Sequence, residues 1–74
     1  MENQHRQIKG YRELDEHEIR AMNNIKELAE DVGSLVKELE MVPGTDKRWV
    51  AIARTHLQEG FMALARSVAK PTSF

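Results

Sequence analysis

The stretch LDEHEIRAMNNIKELAEDVGSLVKELE, Leu14–Glu40, decides the fold. Within it, Met22, Ile25, Ala29, Val32, Val36 and Leu39 recur in alternating steps of three and four. That spacing brings apolar side chains back to one side of an α-helix, as in a helix that packs on another along its length. Leu28 and Leu35 widen the stripe, while Asn24, Lys26, Glu27, Glu30, Asp31, Lys37 and Glu38 fall mostly off it. At its start, Asp15 and Glu18 stand at the spacing of a capping box, with Leu14 and Ile19 placed as a hydrophobic staple. The acids Asp15, Glu16 and Glu18 also suit the positive end of the helix dipole. A first helix is expected over 15–40. Gly33 sits inside it at a cost of about 1 kcal/mol relative to alanine, either tolerated or serving a bend or close approach.

Toward the C-terminus, 41–46 contains Pro43-Gly44, a turn signal. Thr45 or Asp46 can cap a second helix over 47–69, which Pro71 closes before the tail 70–74. In that helix Val50, Ala53, Leu57, Leu64 and Val68 form one stripe with Phe61 beside it; Trp49, Ile52, Met62 and Ala65 lie outside. Toward the N-terminus, 1–13 is polar, broken at Gly10, and reads as an arm or short first element. The expectation is one all-α domain over 1–74: a short N-terminal element and two long antiparallel helices.

The second helix has more apolar surface than one partner helix can cover. Burying one large apolar side chain fully is worth about 1.5–3 kcal/mol. Several together outweigh an association cost of about 4–15 kcal/mol. A chain of 74 residues also needs a staple, and it has no cysteine. A compact homo-oligomer is therefore expected. The competing reading is a helical adaptor that docks another protein through Trp49, Phe61 and Met62.

Eleven basic residues balance twelve acidic ones, which is not the footprint of a duplex DNA binder. No apolar run approaches the roughly 20 residues of a membrane span. The polar start lacks a signal-peptide core, and the lack of cysteine fits a reducing compartment. His5, His17 and His56 are not at ligand spacing, so no metal is expected. No phosphate loop or nucleophile set is present, carboxylates are spread over helix faces, and no catalytic residue or cofactor is expected.

A different chemistry is present. Tyr11 follows Gly10 between Lys9 and Arg12, and a ring among cations can stack on a nucleobase while the cations meet phosphate. Lys26 and Arg66 project beside the apolar seams of the two helices. The alternatives are that Tyr11 packs on the helix start, Lys26 pairs with Glu30 at i+4, and Arg66 is plain surface.

Three ordered segments, His5–Leu14, Glu18–Lys26, and Asp46–Ala53 with Leu57–Arg66, resemble the phage family of anti-CBASS cyclic-oligonucleotide sponges, whose helical-hairpin domain is shared with anti-Thoeris sponges. The tail Lys70–Phe74 is also similar to that family's ending. The resemblance covers nearly the whole chain and is weakest around Pro43-Gly44.

The resemblance implies a homohexamer that binds cyclic dinucleotides such as cyclic GMP-AMP, and cyclic trinucleotides, intact in the host bacterial cytoplasm. It implies that Tyr11 stacks on a base and Lys26 meets phosphate, the contacts coming from different subunits. It assigns Arg66 and the Gly10 backbone to a separate trinucleotide pocket. That pocket would take a polar partner about two residues after Lys26, where this chain carries Leu28.

Overall fold

The computed structural model describes residues 13–72. Among these, the structure is all-helical: α1 spans Glu16–Met41 and α2 spans Lys47–Ala69. The short turn between them makes the pair an antiparallel hairpin. Glu40 near the end of α1 faces Arg54 near the start of α2, and Met22 lies beside Arg66 and Ala69 at the other end.

The helix ends have specific causes. Asp15 is the N-cap of α1; its Oδ1 accepts the Glu18 N–H at 2.9 Å, and Glu18 Oε1 accepts the Asp15 N–H at 3.0 Å. The capping box is thus closed in both directions. Asp46, rather than Thr45, caps α2: its Oδ1 accepts the N–H groups of Arg48 at 3.0 Å and Trp49 at 3.2 Å. Thr45 instead turns back, its hydroxyl donating to the carbonyls of Leu39 at 2.8 Å and Val42 at 3.1 Å. The Lys47 ammonium joins it, donating to Val42 O at 2.6 Å and also to the Thr45 hydroxyl. α1 has no basic residue in its last turn, so Lys47 supplies from α2 the cation that a helix C-terminus favours. The turn itself depends on Gly44, whose φ of +94° lies where side chains are strained. Asp46→Ala removes two charge-assisted caps at once and is expected to cost about 1–2 kcal/mol in thermal unfolding.

The interior between the helices is thin. Met22, Ile25, Ala29 and Val32 are half-buried on α1, and Val36 is the one buried residue among those described. On α2 the half-buried positions facing α1 include Val50, Phe61, Ala65 and Val68. Ala65 therefore lies on the inner side, and Leu64 does not; Leu64 is 48% exposed. The inner direction of α2 is rotated from the stripe read by counting apolar residues, because Arg54 and Gln58 occupy its inner flank. Arg54 earns that place through an ion pair with Glu40 at 2.8 Å. Both partners are more than a third exposed, so the pair is worth under about 1 kcal/mol.

Leu28, Leu35, Met41, Trp49 and Met62 all remain more than half exposed. The accessible surface is 6279 Å². Neither helix hides its apolar surface within one hairpin.

Candidate functional site

Two concavities lie along one side of the hairpin. The larger, about 590 Å³, runs between the helices; Val32, Gly33 and Phe61 line its apolar wall, and Lys37, Arg54 and Gln58 add polar groups. The second, about 420 Å³, lies toward the open end of the hairpin, between Met22 on α1 and Met62, Arg66, Ala69 and Pro71 on α2 or just past it. Pockets of this size can admit a small organic ligand.

Gly33 is part of the first concavity. A Cβ added there would meet nothing within 4 Å. Within one chain the glycine is therefore not needed for close packing. Gly33→Ala is expected to raise the unfolding free energy of the hairpin by about 0.5–1 kcal/mol, read by denaturant titration. A loss instead would reveal that another molecule occupies that space.

The expected ligand residues divide as follows. Lys26 is exposed on α1, and no ion pair joins it to Glu30 among the described residues. It lies one turn beyond Met22, and residues at i and i+4 share a helix face. Arg66 is exposed on α2 and lines the Met22 concavity. Its carbonyl accepts the Lys70 N–H at 2.8 Å, where Lys70 turns left-handed to end the helix. The structure thus puts a cation of each helix near the open end of the hairpin. Gly10 and Tyr11 lie outside the described residues, as does His5. His17 and His56 are exposed, and no cluster of three His, Cys, Asp or Glu occurs among the described residues.

Trp49 is 60% exposed, with the Arg48 guanidinium carbon 5.6 Å from its ring centroid. Met62 is exposed too, whereas Phe61 is half-buried. At about 100° per residue, Trp49 and Met62 stand about 140° apart round α2. They do not form one docking patch with Phe61. No helix among the described residues is long and apolar enough to cross a membrane.

Against this geometry, the profile of the Acb2/Tad1 hairpin domain matches residues 3–69. The chain belongs to the Acb2/Tad1 hairpin family. The matched range takes in Gly10, Tyr11, Lys26 and Arg66. The chain is also 32% identical over 105 aligned positions to Anti-CBASS protein 2 of Pseudomonas phage JBD67, covering 96% of this chain and 97% of that protein. The alignment is longer than this chain's 74 residues, so the relative has segments without a counterpart here.

What spacing alone missed is the Glu40–Arg54 pair and the Lys47 cap. Both cross the turn, and neither follows from the periodicity of a single helix.

Proposed function

We propose that this protein is a phage anti-defence factor that sequesters cyclic oligonucleotide immune signals and so blocks activation of CBASS effectors. The observation that carries the reading is the identity over nearly the full chain to a phage protein named for anti-CBASS action, in a shared hairpin family. The first ligand class is cyclic dinucleotides such as cyclic GMP-AMP, with Tyr11 stacking on a base and Lys26 meeting phosphate. The exposed Lys26 ammonium supports that role, since among the described residues no ion pair holds it.

A cyclic trinucleotide is the second class, with Arg66 and the Gly10 backbone in its pocket. Leu28, 55% exposed, is apolar where that pocket would take a polar partner. The signal is bound intact in the host cytoplasm, with no cofactor. The working form is a homo-oligomer, taken as a hexamer, whose seams bring residues of different subunits onto one ligand. The exposed leucines of both helices support assembly, since one hairpin leaves Leu28, Leu35 and Leu64 about half exposed.

Calorimetric titration of the assembled protein with a panel of cyclic di- and trinucleotides tests the reading. Saturable binding, with the nucleotide recovered unchanged after denaturing the protein, is expected. No heat from any member of the panel, or recovery of a cleaved product, overturns it.

A further inference from the structure

α2 ends in a conformation that its sequence does not favour. Lys70 has φ 43° and ψ 61°, in the left-handed region, and is the one residue other than glycine with positive φ among those described. Helices that close this way usually place glycine there, because a Cβ in that region crowds a neighbouring carbonyl. The chain follows that rule at its turn, where Gly44 takes φ 94°. At Lys70 it does not. The closure itself uses only backbone: the Lys70 N–H donates to Arg66 O at 2.8 Å, a bond that glycine would make equally well. A cation near a helix C-terminus gains from the dipole, but Arg66 already stands in the last turn. Ending the helix therefore does not explain the lysine side chain.

Its position does. Beyond Lys70, Pro71 cannot continue the helix. It is half-buried and lines the open-end concavity of about 420 Å³ together with Ala69, Arg66 and, from α1, Met22. Lys70 stands between two of these lining residues and is itself exposed. Among the described residues no ion pair or side-chain hydrogen bond holds its ammonium. A lysine stem has four flexible carbons, so the ammonium can sweep the rim of this hollow. No acidic residue lines it. Its wall is apolar at Met22, Met62 and Ala69 and cationic at Arg66, a combination that suits a flat ligand carrying phosphates.

We infer that Lys70 is a further phosphate-binding residue of the Arg66 pocket, and that the left-handed turn gives up stability to set its ammonium at the rim of that pocket. This rests on the second ligand class proposed above and adds a cation to its site. The αL backbone turns the chain so that Pro71 closes the floor while Lys70 stays outside, where a bound anion meets it without displacing an existing ion pair.

Thermal unfolding without ligand, and calorimetric titration with a cyclic trinucleotide, test this on the assembled protein. Lys70→Gly is expected to raise the midpoint by about 2–5 °C, as strain is relieved. The same variant is expected to bind the trinucleotide about tenfold more weakly, the size of one charge-assisted contact. Lys70→Asn, which tolerates the left-handed region but has no charge, loses affinity equally, whereas Lys70→Arg retains it. Lys37→Ala, an equal loss of charge on the other concavity, leaves the affinity unchanged. At about 1 M salt the gap between wild type and Lys70→Gly closes, because exposed charges are then screened within about 3 Å. A lysine with a purely structural role would move the midpoint alone. Wild-type affinity in Lys70→Gly overturns the assignment by itself, and a lowered midpoint overturns the trade of stability for placement. A wild-type protein that takes cyclic dinucleotides but no trinucleotide overturns the assignment together with the second ligand class. One that takes neither overturns the sequestration reading beneath both.

Discussion

Lys26→Ala is expected to lower affinity for a cyclic dinucleotide by about 10²–10⁴-fold while leaving the assembly's mass unchanged. A charge-assisted hydrogen bond is worth about 1.5–3 kcal/mol. A ligand of near two-fold symmetry at a seam between identical subunits meets the same side chain twice, and each 1.4 kcal/mol is about a factor of ten. Tyr11→Ala removes stacking worth about 1–3 kcal/mol per base, and the same doubling gives an effect of similar size. Lys26 is exposed and makes no ion pair with Glu30, so its truncation takes little from the hairpin. Lys26→Arg keeps the charge and is expected to retain most of the affinity, which separates loss of a phosphate contact from loss of structure. Calorimetry reads the affinity and light scattering the mass. Wild-type affinity in both alanine variants would remove Tyr11 and Lys26 from the site.

The sequence disclosed α1 more fully than α2, for a physical reason. The α1 stripe has one polar-free period, and its inner positions Ile25, Ala29, Val32 and Val36 are the ones the hairpin covers. Asp15 and Glu18 form both hydrogen bonds of the capping box that their spacing suggested. On α2 apolar residues ring most of the helix, so counting them does not say which side meets α1. That choice is made by the turn, which sets Arg54 opposite Glu40 and turns Phe61 and Ala65 inward. Leu57 and Leu64 then fall on the outer flank, where a lone hairpin leaves them partly wet. The capping ambiguity between Thr45 and Asp46 was similarly beyond sequence: both side chains can accept from a first-turn N–H. It is resolved because the Asp46 carboxylate reaches two donors while the Thr45 hydroxyl is occupied by the end of α1. Of the proposed ligand residues, Lys26 and Arg66 have no local signature beyond charge beside an apolar seam. The roles proposed for them rest on the ordered resemblance, and the family match covers the same stretch.

Stability should depend on concentration, with the thermal midpoint falling by about 5–10 °C for each tenfold dilution below the micromolar range. Helices in proteins owe most of their stability to packing of an apolar face. Here that packing within one chain amounts to Val36 and a row of half-buried neighbours. Releasing one subunit from an assembly becomes easier by about 1.4 kcal/mol per tenfold dilution, and 1 kcal/mol moves the midpoint of a domain this size by about 4–8 °C. Circular dichroism melts across a thousandfold concentration range read the slope. A ligand held at subunit seams adds to it: at about 100 times its dissociation constant it stabilises the bound form by about 2.7 kcal/mol. A cyclic dinucleotide should therefore raise the midpoint most where the protein is most dilute, because there it holds together subunits that would otherwise part. A midpoint that ignores concentration would mean that one hairpin folds alone, and the exposed leucines of both helices would then need another explanation.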